Sequence, residues 1–176
     1  MVGLELVTPA MVRALACPYC TRVQPHDLAG QRAAQAAWGW SGALATEGER
    51  VVGLLLVHPD GSGSRPAALI SALWVAPGHV GAGVGRALVG TAAAGLIRAR
   101  VGVLQARSGV PATCTAPPAG FLLATGFAPT ANASRWRLDL DTTVRAPLES
   151  MLDRLGRLMQ AVRPMAPPEP ARRSAP

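Results

Sequence analysis

The chain has 176 residues and 49% of them are hydrophobic, which is enough to bury the core of one domain. No apolar run is as long as a membrane span, and no positively charged segment precedes an apolar one at the start, so we expect neither membrane attachment nor a secretion signal. The net charge is +7, but the arginines are scattered and not gathered on one face, so we expect no nucleic-acid partner.

The first part of the chain alternates apolar runs with helix signals. Thr8 and Pro9 supply an N-cap and a first helical residue, and Asp27 supplies a second N-cap. Two further apolar runs flank a Glu-Gly-Glu turn, which indicates an antiparallel pair. The predicted elements are a strand over 4–7, a helix ending near 16, a helix ending at 37, and strands over 43–46 and 50–58.

The middle of the chain predicts a strand, a crossover helix and a second strand. The first of these strands is apolar almost throughout, as a central strand covered on both faces should be. Such a crossover joins two parallel strands with a right-handed connection. The predicted elements here are a strand over 67–75, a helix over 84–98, a strand over 101–107, a helix over 117–125 and a hairpin over 127–141.

The last part of the chain changes in composition. Pro147 opens an amphipathic helix with leucine and methionine on one face, and the residues from 163 onward are rich in proline and alanine. We therefore divide the chain into a domain over 1–145, a helix over 146–162 packed on it, and a disordered tail over 163–176.

The stretch from Leu73 to Leu88 carries the clearest chemistry. A strand ends, Pro77 forces a turn, and glycines stand at 81, 83 and 85 just before a helix. Without side chains there, several backbone N–H groups can point at one phosphate, and the helix dipole favours negative charge at the same place. A Walker A loop would need lysine, which the chain lacks, and a Rossmann fingerprint would need another glycine spacing and a later acidic residue. A turn that serves packing alone is the remaining alternative.

Val75-x-Pro77 followed by Gly81-x-Gly83-x-Gly85-x-x-Leu88 closely resembles the acyl-CoA-binding signature of the GNAT N-acetyltransferases. The similarity extends to the order of elements and to the segment 121–127, which looks like that family's late helix ending in Gly-Phe. The resemblance implies an α/β (α+β) fold, with a mixed, mostly antiparallel sheet of six to seven strands flanked by helices and its one parallel pair at the CoA site. A weaker similarity points to a group of actinobacterial members of the family.

The resemblance also implies which residues hold acetyl-CoA, the co-substrate. In such proteins the main chain of the strand before the loop hydrogen-bonds the pantetheine arm, and the loop amides hold the pyrophosphate. The residues implied are Leu73 and Val75 for the arm, and Val80, Gly81, Gly83, Gly85 and Arg86 for the pyrophosphate.

Two departures from the family pattern bear on function. Val80 stands where the family usually has arginine or glutamine, which removes a polar side chain but keeps the amides. Leu122 stands where the family often has tyrosine, so the proton donor for the departing thiolate is unassigned.

No catalytic residue is assigned from the sequence. Glu47, Glu49 and His58 are conceivable bases, and each is better explained as a turn or edge residue. Ser108 and Cys114 are conceivable donors after the strand that follows the crossover helix. We keep Glu49, Ser108 and Cys114 as weak candidates. Three tryptophans are expected to line either an acceptor cleft or the hydrophobic core, and they are Trp38, Trp40 and Trp74.

Cys17-Pro18-Tyr19-Cys20 matches the active-site dithiol of glutaredoxins letter for letter. It follows a predicted helix and not a first strand, so we expect no thiol–disulfide activity. A zinc site on Cys17, Cys20 and His26 is one ligand short, and Cys114 lies far along the chain, so no metal is predicted. Three cysteines are an odd number for a disulfide framework, which favours a reducing cytoplasm.

The sequence therefore predicts an N-acetyltransferase that moves an acetyl group from acetyl-CoA to a primary amine of a small molecule or peptide. The alternative is a non-catalytic acyl-CoA-binding or regulatory protein. The pattern leaves the acceptor open, and it leaves open whether the chain forms a homodimer.

Overall fold

A computed structural model describes residues 1–22 and 27–143 of the chain. The described strands are β1 (Val2–Val7), β2 (Gly42–Glu47), β3 (Arg50–Asp60), β4 (Ala67–Val75), β5 (Val103–Arg107), β6 (Ala128–Pro129) and β7 (Arg135–Asp139). They form one sheet in the order β1-β2-β3-β4-β5-β7-β6. Every neighbouring pair is antiparallel except β4 and β5, so the predicted fold class is confirmed.

Four of the five described α-helices lie between strands in the sequence, and the last one follows β7. They are α1 (Pro9–Val12), α2 (Leu28–Trp38), α3 (Val84–Arg98), α4 (Ala119–Ala124) and α5 (Leu140–Thr143), with a 3-10 turn over Pro77–His79. None of the helices in 1–22 and 27–143 has the length and apolar character that crossing a bilayer requires. The contacts divide the chain into two units, Met1–Asp141 and Thr142–Pro176, and of the second only residues 142 and 143 are described.

Apolar side chains cover both faces of the sheet, and the alternation along β3 explains why. Leu55 and Val57 join the larger cluster, on the face where α3 packs. Leu54 and Leu56 point the other way, into a second cluster. Successive side chains of a strand point to opposite faces, so a continuous apolar run is buried twice. β4 is the central strand of the sheet order and is buried along most of its length.

The predicted elements agree with the structure where the local signal is strong. The bounds of β4 and α3 match the prediction, and α3 buries Leu88, Ala92 and Leu96 at four-residue spacing. The helix predicted to end near 16 is wrong, because α1 ends at Val12 and the next turn is closed by a tighter bond from Leu15 N–H to Val12 O. The predicted helix over 146–162 lies outside the described residues.

Candidate functional site

β4 and β5 separate after three pairs, and this opens a gap in the sheet. Residues 67–69 of β4 pair with residues 103–105 of β5. Beyond Leu69, no strand among the described residues pairs with this edge of β4. The gap runs along the rest of β4 to its end, where the glycine loop begins.

A β-bulge marks the point at which β4 turns away. Leu56 pairs with Ala72 and Val57 pairs with Ile70, so Ser71 is the additional residue. Gln31 of α2 is fully buried beneath it. Its Nε2 donates to Ser71 Oγ at 2.9 Å and to Val57 O at 3.3 Å. One buried amide from α2 therefore links the bulge residue of β4 to the neighbouring strand β3.

Two groups of the chain itself already bond to the open edge of β4. Leu73 N–H donates to Cys114 O at 2.6 Å, and Tyr19 Oη donates to Val75 O at 2.6 Å. Because the N–H and C=O of a residue in an extended strand point to the same side, Leu73 C=O and Val75 N–H also face the gap. The edge therefore offers a line of backbone donors and acceptors.

The loop after β4 is shaped by glycines with positive φ. Gly81 and Gly83 both have φ of +84°, and Gly83 is the N-cap of α3. A Cβ at either position would meet no atom within 4 Å, so these glycines are required by backbone conformation and not by crowding. The first backbone N–H of α3 to bond back along the chain is that of Ala87, to Gly83 O at 3.0 Å. The N–H groups before it are available to an anion.

Gly85 is a glycine for a different reason. A Cβ at this position would come 2.9 Å from Cε2 of Phe121, so the side chain of α4 packs directly on the first turn of α3. Arg86 adds a second link between these helices, because its Nη2 donates to Ala124 O at 3.4 Å. The close approach of α4 forms one wall of the gap.

Two adjoining cavities fill the gap. The first cavity measures about 370 Å³ and its lining is mostly apolar. The second measures about 420 Å³ and lies against the glycine loop. They share Val75, Val80, Gly85 and Phe121, so we treat them as one cleft. The other residues of the first are Tyr19, Leu73, Trp74, Ala112, Thr113, Cys114, Pro117 and Pro118. The other residues of the second are His79, Gly81, Gly83, Arg86, Ala124 and Thr125. The cleft thus brings together all seven residues that the resemblance implies for acetyl-CoA.

The candidate bases lie away from the first cavity. Glu47 is exposed, and its carboxylate lies 3.1 Å from Nε2 of His79, a residue of the second cavity. The hydrogen bond and positive charge of His79 lower the pKa of Glu47. Glu49 is exposed in the turn between β2 and β3, and His58 Nδ1 lies 2.9 Å from Pro59 O. None of the three acidic or imidazole candidates lines the first cavity.

The two candidate proton donors, Ser108 and Cys114, differ in whether they line a cavity. Ser108 Oγ accepts a hydrogen bond from Trp136 Nε1 at 2.9 Å and lines neither cavity. Cys114 does line the first cavity. Burial and the thiol of Cys20 raise the pKa of Cys114 to about 12, so it stays protonated at neutral pH.

Tyr19 is a residue of the cleft that the sequence did not predict. Leu122, the position where a tyrosine was expected, is fully buried in the larger cluster and lines neither cavity. Its neighbour Phe121 lines both. Tyr19, the one tyrosine in the sequence, lines the first cavity with its hydroxyl on β4. Tyr19 and Val75 are 56 residues apart in the sequence, so no local pattern predicts this contact.

Of the three tryptophans weighed for an acceptor cleft, only Trp74 lines one of the cavities. Trp40 belongs to the larger cluster and Trp38 packs against it. Trp74 Nε1 is buried and has no hydrogen-bond partner among residues 1–22 and 27–143.

The three cysteines come together beside the first cavity. The Sγ atoms of Cys17, Cys20 and Cys114 all lie within 4.8 Å of one another. The expectation that Cys114 lies apart from the other two is therefore wrong, because the segment after β5 folds back onto the turn after α1. His26, the other ligand considered, lies outside the described residues.

Comparison with protein families finds a match along the part of the chain that holds the cleft. The model of the acetyltransferase (GNAT) family matches residues 10–108. These residues include the gap beside β4 and the glycine loop. No curated protein matches the sequence.

Solved structures of several proteins share this fold at low sequence identity. The Salmonella typhimurium protein yncA, solved with its cofactor acetyl-CoA, is 19% identical with a TM-score of 0.56, over 80% of this chain and 94% of that one. The AtaT toxin, solved with the C-terminus of the antitoxin AtaR and acetyl-CoA, is 15% identical with a TM-score of 0.54, over 80% and 94%. Ard1 from Thermoplasma volcanium is 17% identical with a TM-score of 0.51, over 77% and 94%.

Proposed function

Because the chain belongs to the acetyltransferase (GNAT) family, we propose that it transfers an acetyl group from acetyl-CoA to a primary amine of a small molecule or peptide. The observation that carries the proposal is the gap beside β4, which ends at a helix N-terminus with two left-handed glycines. The similar structures of yncA and AtaT, which hold acetyl-CoA, support the same co-substrate here.

In this proposal the second cavity takes the pyrophosphate. The N–H groups of Gly83 and Gly85 would be its donors, because the start of α3 leaves them without intrahelical acceptors, and Gly81 would add its N–H from the loop. The guanidinium of Arg86 adds positive charge at the same cavity. Val80 would contribute its backbone to the pyrophosphate site, and it lines both cavities.

The pantetheine arm then follows β4 into the first cavity. Its amides would bond to Leu73 and Val75, whose backbone groups face the gap. Val75 O already accepts from Tyr19, but a carbonyl oxygen has two lone pairs and accepts a second donor. The thioester would therefore end between β4 and the segment that contains Cys114.

The transfer needs a neutral amine. Its nitrogen attacks the thioester carbonyl carbon, the C–S bond breaks, and the sulfur leaves as a thiolate that takes up a proton. An alkyl ammonium has a pKa of about 10.4 and a peptide α-ammonium about 7.7–8.0. The described lining of the first cavity contains no carboxylate or imidazole, so in this proposal the amine loses its proton to water.

Tyr19 is our candidate for the proton donor to the thiolate. It lines the first cavity, and its hydroxyl hydrogen-bonds β4 along the path of the arm. A phenol O–H is a hydrogen-bond donor, and a positioned phenol can act as a general acid. Tyr19 would thus take the role that Leu122 cannot fill.

A non-catalytic acyl-CoA-binding or regulatory protein is the second candidate. The bond from Leu73 N–H to Cys114 O favours it, because this N–H is occupied by the chain itself. A ligand would have to displace Cys114 O to reach that donor.

Product analysis with a panel of amines distinguishes an acetyltransferase from a non-catalytic acyl-CoA-binding or regulatory protein. We would incubate the protein with acetyl-CoA and alkyl amines, aromatic amines or peptides, and quantify acetylated amine by mass spectrometry. An acetyltransferase gives amine-dependent product at least about 10-fold above the reaction without protein. Binding of acetyl-CoA without any product would support the second candidate, and absence of binding would contradict both.

A further inference from the structure

Three thiols from two distant parts of the chain, none of them in a disulfide, meet at one point. Cys17 and Cys20 belong to the turn after α1, and Cys114 follows β5. Sγ of Cys20 lies 3.4 Å from Sγ of Cys114, although the residues are 94 positions apart. All three sulfurs lie within 4.8 Å of one another. Around a tetrahedral zinc ion with Zn–S bonds of about 2.3 Å, sulfurs stand roughly 3.8 Å apart. The sulfur spacing is therefore close to that of three ligands of one ion.

The turn that carries two of these thiols is held in a fixed shape. Thr21 N–H donates to Cys17 O at 2.9 Å, and Cys17 N–H donates to Arg22 O at 3.0 Å. Thr21 has φ of +58°, a left-handed conformation that is unfavourable for a residue with a Cβ. Such conformations persist where the surroundings hold them, most often at functional sites.

The burial of the three thiols leaves access from one side. Cys17 and Cys114 are buried, whereas Cys20 is exposed. An ion reaching the cluster from solvent would meet Cys20 first, and a water molecule could complete its coordination on the same side. Zinc sites with three protein ligands keep their fourth position for water in this way.

The electrostatics of the cluster favour a cation. Three thiolates this close would repel one another strongly without a positive charge between them. A divalent cation supplies that charge, and it deprotonates the thiols that it binds.

We propose that Cys17, Cys20 and Cys114 bind one zinc ion through three thiolates, with water at the fourth position. Thiolates are soft ligands, and a compact tetrahedral set of them suits zinc better than hard cations such as magnesium or calcium. Binding releases the thiol protons to solvent, so the affinity for zinc falls as the pH is lowered. Cys17 and Cys20 alone are too few ligands for such a site, and only the fold brings Cys114 to the turn that carries them.

The zinc site would also fix one wall of the cleft. Tyr19 lies between two of the ligands, and Cys114 is the third, and both line the first cavity. The ion would tie the turn after α1 to the segment after β5, so Tyr19 Oη stays on Val75 O and Cys114 O stays on Leu73 N–H.

Metal analysis of the untagged protein tests the proposal. We would equilibrate it with zinc, remove unbound metal by gel filtration, and measure metal per chain by mass spectrometry. About one zinc per chain is expected for the wild type, and a drop of at least 10-fold is expected in Cys20→Ser. Cys20 is exposed, so this variant is expected to fold where Cys17→Ser or Cys114→Ser could fail. Tyr19→Phe is the matched control, because it changes the same turn, leaves all three thiols and should keep its zinc.

Cobalt provides a second readout. Co²⁺ bound by thiolates absorbs in the near ultraviolet, so titration of the metal-free protein should give a saturable band that Cys20→Ser lacks. Zinc below one-tenth of an equivalent in wild type, unchanged zinc in Cys20→Ser, or a Cys20–Cys114 disulfide in peptide maps of the native protein would each overturn the proposal. These measurements use no acetyl-CoA, so their outcome is independent of the proposed acetyltransfer.

Discussion

Gly83 combines two requirements in one residue. Its φ of +84° lets the chain turn from the loop into α3, and the space beyond its Cα is open. A Cβ there would meet no protein atom within 4 Å, and Gly83 lines the second cavity, where the proposed pyrophosphate would bind. A substitution of Gly83 would therefore affect protein stability through the backbone conformation and acetyl-CoA binding through the added side chain, and the two effects can be measured separately.

We predict that Gly83→Val abolishes acetyl-CoA binding while the protein still unfolds cooperatively. A β-branched residue with positive φ costs about 1–3 kcal/mol, so the melting temperature should also fall by several degrees. Gly78→Val is the matched control, since Gly78 has no positive φ and also has open space around its Cα. Calorimetric titration with acetyl-CoA gives the readout. Normal binding by Gly83→Val would mean that the glycines serve packing alone.

Tyr19 is the residue on which the proposed proton transfer depends. We predict that Tyr19→Phe lowers kcat by about 10²-fold or more, because a positioned acid contributes about 10²–10⁴-fold. KM for acetyl-CoA should change much less, since Val75 O stays available to the arm. Thr113→Val, in the same cavity, is the control and should keep kcat within a few-fold. Equal kcat values for Tyr19→Phe and wild type would remove Tyr19 from the chemistry.

The cysteines should differ sharply in reactivity once a chelator has removed metal. The pKa of Cys20 is lowered by the Arg22 backbone, and that of Cys114 is raised to about 12 by burial and the neighbouring thiols. Only the thiolate is alkylated, so at pH 8 Cys114 would offer roughly one thiolate in ten thousand. We predict that iodoacetamide labels Cys20 first, and at a pH below the usual thiol pKa. Peptide mapping across pH 6–10 measures this, and faster labelling of Cys114 would contradict it.

At the scale of elements, α2 and β4 are joined through one buried amide. Gln31 Nε2 bonds to Ser71 Oγ in the bulge and to Val57 O in β3. Gln31 Oε1 has no partner among the described residues, which offsets part of what the two bonds contribute. The bulge is where β4 leaves β5, so this link stabilises the opening of the cleft.

We predict that Gln31→Leu lowers the free energy of unfolding by about 1–3 kcal/mol, because it leaves Ser71 Oγ and Val57 O without this donor. Gln35→Leu on the same helix is the control, since Gln35 is exposed and its replacement should change stability by less than about 0.5 kcal/mol. Urea unfolding measures both, and a double-mutant cycle with Ser71→Ala isolates the direct bond. Equal effects of the two substitutions would show that the buried amide does not hold the bulge.

Elements with a strong local pattern could be predicted from the sequence, and those set by distant contacts could not. The apolar run of β4 and the four-residue spacing of α3 reproduce their observed bounds. The end of α1 was predicted too late, because the turn that carries Cys17 and Cys20 is fixed by its own hydrogen bonds.

The same distinction applies to the cleft. The glycine spacing identifies the loop from the sequence, because Gly81 and Gly83 act through their own backbone conformation. Tyr19 and Cys114 enter the first cavity only because the sheet brings the turn after α1 and the segment after β5 to the same edge of β4. No hydrophobic periodicity in either segment predicts that the two segments lie close together.

At the scale of the whole molecule, a ligand bound across the cleft should stabilise the fold of Met1–Asp141. The cleft is bounded by β4, the loop, α3 and α4, as well as by the turn after α1. All of these must keep their positions for the ligand to remain bound, so binding free energy adds to the free energy of unfolding.

The thermal unfolding of the purified protein with and without acetyl-CoA tests this account most directly. Acetyl-CoA at about 100 times its dissociation constant should add ~2.7 kcal/mol, which corresponds to a rise of roughly 5–10 °C in melting temperature. NADH and ATP at the same concentration are the controls for anions that lack the pantetheine arm, and each should give a much smaller shift. A melting temperature that does not change at millimolar acetyl-CoA would contradict the claim that the gap beside β4 is an acyl-CoA site.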